Sequence, residues 1–154
     1  MRGGRGAGKA IPGIDRRSMA SLSLGHLASD LAQGAPPALL VYLKPKLGLT
    51  YTETAAVILS ATLSSSLAQP AFGLLSDRRG ARWLLAAGVA LGGLGVAFAA
   101  ISPNYPILLV LIFLSGLGIG AFHPEGAKFA GLASGERRAT GMALAVSPKE
   151  VLGV

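Results

Sequence analysis

No cysteine occurs in the 154 residues, which excludes a disulfide-stapled secreted domain. Charge is scarce too: Asp, Glu, Lys and Arg make up 14% of the chain, against about 25% in an average soluble domain. Fourteen basic and seven acidic side chains are too few to cover a soluble domain of this length. A polar disordered chain is equally excluded, because 51% of the residues are apolar. There is no Cys-rich metal spacing, no phosphate-binding glycine loop and no Ser/His/Asp order, so neither an enzyme nor a cofactor is expected. What the sequence does contain is apolar residues, 22 glycines and a mean hydropathy of +0.57. These point to a membrane protein, in which the net charge of +7 has to be read by position.

Thr54 to Ser76 is a run of 23 residues without a charged side chain, and Trp83 to Pro124 is a run of 42. About 20 residues of helix cross about 30 Å of hydrocarbon. The first run is therefore one span and the second is two. The second breaks at Ser102-Pro103-Asn104-Tyr105-Pro106, where two prolines and an Asn supply turn chemistry. The spans expected are a polar-marked one from Met19 to Leu43, then Thr54 to Ser76, Trp83 to Ile101, and Pro106 to about Ala133. A fifth apolar segment starts at Ala139 and gives way to Ser147-Pro148-Lys149-Glu150. The fold class expected is all-α: a polytopic membrane bundle of four transmembrane helices plus the start of a fifth. Residues 1–18 form a basic arm expected to be cytoplasmic and disordered, without a nucleic-acid role. Residues 19–146 form the helical bundle, and 147–154 a divergent tail.

Cations gather on one side of these spans. Arg2, Arg5, Lys9, Arg16, Arg17, Arg78, Arg79, Arg82, Lys128, Arg137 and Arg138 fall on the side of the amino terminus, and Lys44 and Lys46 on the other. The positive-inside rule then predicts a multi-pass inner-membrane protein with a cytoplasmic amino terminus. Small residues also recur within the spans. Gly88, Gly92 and Gly95 share a face of the third, and Gly116 and Gly120 form a pair four apart in the fourth. Such residues let helices pack closely in lipid, either within a bundle or between copies.

The turn after the second span reads Gly73-Leu74-Leu75-Ser76-Asp77-Arg78-Arg79-Gly80-Ala81-Arg82. Gly73 suits close helix approach, Gly80 suits a tight turn, and Asp77 is placed to meet the amino end of another helix. The Gly-x-x-x-Asp-Arg-x-Gly-x-Arg spacing resembles the loop between the second and third helices of major facilitator superfamily transporters. The resemblance implies that Gly73, Asp77, Arg78, Gly80 and Arg82 latch the inner helix ends during alternating access.

Three further stretches resemble the fosmidomycin resistance branch of that superfamily: Gly25-His26-Leu27-Ala28-Ser29-Asp30, Gln69-Pro70 and Ala121-Phe122-His123-Pro124-Glu125-Gly126. The branch implies a proton-driven efflux carrier for fosmidomycin-like or other small drugs, with protons, a small-molecule substrate and the lipid bilayer as partners. Two features depart from the pattern. Ile112 stands four residues before Gly116, where many drug/proton antiporters carry an Arg. The fifth-span motif rich in Gly and Pro is also absent. A complete superfamily member has two six-helix halves built from three-helix repeats. The chain is therefore expected to be a truncated copy or fragment, whose partner would be the missing transporter half or another membrane protein. The alternatives are an inactive truncated product and a small four-helix membrane interaction module.

Ionisable groups inside spans mark candidate proton and substrate pathways. His26 and Asp30 are four apart and share a helix face that Gln33 continues. Asp30 is a candidate proton carrier tuned by His26; the alternative is a structural His–Asp contact. His123 and Glu125 are two apart and point to different sides, around a proline that invites a bend. They are candidates for an inner gate or proton relay, or for a structural kink. No metal site is expected from these four groups.

Overall fold

The computed structural model describes residues 16–79 and 82–134. They form four helices: α1 (Arg16–Leu47), α2 (Tyr51–Arg79), α3 (Trp83–Ala99) and α4 (Tyr105–Ala133). No strand occurs among the described residues, and the fold class is all-α. The fifth apolar segment, the tail and most of the basic arm lie outside the described residues.

Local chemistry sets the helix ends. Gly48 adopts φ +64°, the left-handed conformation that ends α1, and the Leu49 N–H donates back to the Lys44 carbonyl at 2.9 Å. Two residues on, Thr50 and Glu53 form a capping box. The Thr50 N–H donates to Glu53 Oε2 at 2.8 Å, and the Glu53 N–H donates to Thr50 Oγ1 at 3.2 Å. Asn104 opens α4 by accepting the Ile107 N–H at 3.1 Å, with Pro106 in the first turn, where its missing N–H costs nothing.

α2 and α4 extend past the charge-free runs, whereas α3 ends at Ala99, two residues short of the expected Ile101. α2 continues to Arg79, so Asp77 and Arg78 belong to its last turns and only residues 80–82 separate it from α3. Tyr51–Arg78 and Tyr105–Ala133 are each long and apolar enough to cross a bilayer alone. α3 is apolar throughout, but its 17 residues rise only about 26 Å. α1 has 32 residues and ample length, with its hydropathy diluted by His26, Asp30, Gln33 and terminal cations.

α4 is the centre of the bundle and packs along both α2 and α3, while α1 leans on α3 and α4 and scarcely touches α2. One apolar cluster joins Leu40, Leu43, Leu49, Val57, Leu108 and Ile112 at the end where α1 meets α2. A second joins Met19, Leu22, Phe122 and Ala130 at the basic end. Leu31, Val41, Leu67, Phe98 and Ile101 are exposed, as suits helices whose surroundings are lipid.

Candidate functional site

Because α1 stands away from α2, a cleft of about 400 Å³ opens between α1, α2 and α4. Ile58, Ala61 and Ile119 supply apolar wall, whereas Gln33, Thr62, Ser65, Ser66, Gln69 and His123 supply hydrogen-bonding groups. Proline adds acceptors. Pro36 and Pro37 inside α1 and Pro70 inside α2 lack the N–H that would reach the carbonyl four residues earlier. The carbonyls of Ala32, Gln33 and Ser66 lose that helical donor, and all three residues line the cleft. Irregular backbone in a membrane is tolerated where it borders a cavity.

Four of the candidate pathway residues meet where α1 crosses α4. His26 Nε2 lies 3.5 Å from Asp30 Oδ2 along α1. The His26 and His123 rings are 5.7 Å apart between centroids, across the two helices. His123 Nε2 is 3.4 Å from Gln33 Oε1, a contact in which the imidazole N–H donates to the amide oxygen. Phe122 packs against both imidazoles at 6.0 Å. No group of three or more metal-ligating side chains occurs among the described residues.

Glu125 is elsewhere. It is 3% exposed and turns toward α2, where the Ser76 hydroxyl donates to its Oε2. Lys128 closes the same cluster. Its ammonium donates to the Ser76 carbonyl at 3.0 Å, to Ser76 Oγ at 3.2 Å and to Asp77 Oδ1 at 3.1 Å. Asp77 thus meets a lysine side chain on α4. Sequence reasoning counted Lys128 only as an inner-side cation and did not foresee its contact with Ser76. The one available signal was a lone cation four residues after an apolar Pro-containing stretch.

The family model described as Major Facilitator Superfamily matches residues 22–148. The chain belongs to this superfamily. It is 31% identical over 117 residues to the uncharacterized MFS-type transporter YfnC of Bacillus subtilis (strain 168), covering 76% of this chain and 29% of that one. It is also 31% identical over 119 residues to the fosmidomycin resistance protein of Escherichia coli (strain K12), covering 77% and 29%. The chain therefore spans about three-tenths of the length of these curated relatives. No solved structure matches it significantly.

The remaining positions of the superfamily-like pattern fall as follows. Gly73 faces Pro124, whose Cβ would lie 3.7 Å from a Cβ added there, an ordinary contact. Arg78 is exposed, the Arg82 guanidinium sits 5.9 Å over the Phe129 ring, and Gly80 lies outside the described residues. Ile112, standing where many drug/proton antiporters of the superfamily carry Arg, is 1% exposed inside an apolar cluster. A Cβ on Gly88 would come 2.7 Å from the Gly118 carbonyl, and one on Gly95 2.9 Å from that of Leu111, so α3 meets α4 backbone to backbone. Gly92 has looser contacts, with Ile119 at 3.5 Å. Gly116 and Gly120 face α2, where added Cβ atoms would meet the carbonyls of Ala61 and Ser65 at 2.6 Å.

Proposed function

We propose that this chain supplies the cleft-lining first part of a proton-driven efflux carrier, exporting fosmidomycin-like or other small drugs across the inner membrane. The observation that carries the reading is the polar cleft between α1, α2 and α4. It places hydroxyls, amides and proline-freed carbonyls beside His123, which touches Gln33 and neighbours the His26–Asp30 pair. A substrate in the cleft and a proton on the adjoining cluster are then near enough to affect each other. The similarity to the fosmidomycin resistance protein supports the drug class. The conformational step is rocking of this bundle against the remaining part of the carrier around the midplane site. Asp77, Arg78, Gly80 and Arg82 hold the inner helix ends between steps, with Gly73 beside Pro124. Superfamily membership favours a carrier over a four-helix interaction module.

The test reconstitutes a completed carrier, these 154 residues joined to its remaining part, in liposomes under an imposed proton gradient and follows fosmidomycin and proton fluxes together. Gradient-dependent drug movement, abolished by Asp30→Asn, is expected. The reading is lost if neither the drug nor protons move faster than through protein-free liposomes.

A further inference from the structure

We propose that Gln33 and Gln69 are substrate-binding residues that make the cleft selective for an uncharged group of the amide or hydroxamate class, against an anion or cation of the same shape. The proposal rests on the carrier reading for its use in transport, and it names what this wall of the cleft holds. The chain contains two glutamines, and both line the cleft, from different helices. Gln69 is also part of a pattern. Thr62, Ser65, Ser66 and Gln69 follow at steps of three, one and three residues, which sets them on one face of α2. All four line the cleft. Polar groups inside a span are costly unless they meet a partner or a cavity, and here they meet a cavity.

The contacts already made decide what the wall offers. The His123 imidazole N–H donates to Gln33 Oε1 at 3.4 Å, which leaves the Gln33 amide nitrogen to donate. Gln69 Nε2 donates to Ser65 Oγ at 3.5 Å, which leaves Gln69 Oε1 to accept and the Ser65 hydroxyl to donate. The Thr62 hydroxyl donates to the Ile58 carbonyl at 3.2 Å and keeps an oxygen that can accept. The carbonyls freed by Pro36, Pro37 and Pro70 add acceptors. Donors and acceptors are thus mixed, and no Asp, Glu, Lys or Arg is among the lining residues. An amide has an acceptor oxygen and a donor N–H, so it meets both kinds. A carboxylate only accepts, and an amidinium, like a guanidinium, only donates. Either ion would leave part of the wall unpaired and would enter without a counter-charge, which costs far more than bringing in a neutral group. Ile58, Ala61 and Ile119 cover the apolar remainder of such a molecule. A substrate that also carries an ionised group holds it outside this cleft.

Three probes of one shape and different charge test this: benzamide, benzoate and benzamidinium. The whole chain, isotope-labelled at the side-chain nitrogens of its glutamines, is placed in nanodiscs of zwitterionic lipid at about pH 8, where an ordinary histidine is neutral. The two side-chain NMR signals are followed as each probe is added, with empty nanodiscs correcting for partition into lipid. Benzamide is expected to shift both signals and to bind at least about tenfold tighter than either ion. Gln69→Glu puts a carboxylate on the wall and should reverse the order in favour of benzamidinium. A residue that merely held α2 in shape would produce no such reversal. The proposal is overturned if benzamide moves neither signal, if an ion binds as tightly as benzamide, or if a folded Gln69→Glu still prefers benzamide. If Gln69→Glu fails to fold, the ranking in the unaltered chain decides alone. Selective binding here, beside a completed carrier that moves no drug, would sink the carrier reading and leave the site standing. Transport without this selectivity would do the reverse.

Discussion

Glu125 is the most deeply placed acid among the described residues, and its role follows from its neighbours. Ser76 is 1% exposed, and its carbonyl is among the last four of α2, which have no helical N–H to accept. Lys128 supplies that donor from another helix, while Glu125 accepts the Ser76 hydroxyl. The Lys128–Asp77 pair contributes little on its own, since the side chains are 38% and 74% exposed and solvent screens them. The buried hydrogen bond matters more. Glu125→Ala leaves the Ser76 hydroxyl without its acceptor and is expected to cost about 1–3 kcal/mol. Glu125→Gln keeps an acceptor oxygen in place and should cost less than half as much. Thermal unfolding in detergent, followed by the fluorescence of the single tryptophan, Trp83, separates the two. Equal losses would show that the hydroxyl contact is not what holds α4 to α2. Half of this arrangement was legible in the sequence. The two-residue offset between His123 and Glu125 sends them to different sides of α4, and they do part, one to the cleft and one to Ser76. The contact between Ser76 and Lys128 was not legible, because they are 52 positions apart and only the packing of α2 on α4 brings them together.

Helix existence and most boundaries could be read from runs of charge and punctuation, since lipid forces long apolar stretches into helices. How the helices pair could not. The spacing of Gly116 and Gly120 marks one face of α4, and that face does meet α2. Gly118 escaped notice because it stands alone, two residues from either neighbour and on the opposite side. Yet a Cβ there would come 2.5 Å from the Gly92 nitrogen and 2.7 Å from the Gly88 carbonyl. α4 thus uses glycine on two faces at once, which lets a single helix bind α2 and α3 at backbone distance. Ser115 adds a hydrogen bond on the α3 side, its hydroxyl donating to the Gly92 carbonyl at 2.8 Å. Gly118→Ala should force the two backbones apart and destabilise the bundle by about 1–3 kcal/mol. Gly93→Ala, where an added Cβ meets nothing within 4 Å, should be neutral or stabilise by up to about 1 kcal/mol through helix propensity. The pair of unfolding midpoints checks this; a Gly118→Ala midpoint equal to that of Gly93→Ala would contradict the close crossing.

The four helices alternate in direction, and their ends differ in chemistry. Arg17, Arg82 and Lys128 share one end, tied together by the Arg82–Phe129 and Lys128–Asp77 contacts. The opposite end carries Lys44 over the Tyr51 ring at 3.2 Å and Lys46 near Tyr42 at 5.4 Å, the amphipathic pairing found where helices leave hydrocarbon. Chain order alone gave the count of cations on each side. The folded bundle adds the contacts that Arg82 and Lys128, placed on the same side by chain order, make there with Phe129 and Asp77. We propose, from the charge asymmetry, that the bundle sits with its arginine-rich end in the cytoplasm. The absence of cysteine makes this directly measurable, because any single introduced thiol is the only one present. Both Pro103 and Arg78 are exposed positions at opposite helix ends. In intact cells, a membrane-impermeant maleimide is expected to label Pro103→Cys, and to label Arg78→Cys only after the membrane is opened. The reverse pattern would invert the bundle. It would place the Asp77–Lys128 cluster outside, where it could not serve as an inner latch, and would turn the basic end toward the side from which the positive-inside rule excludes it.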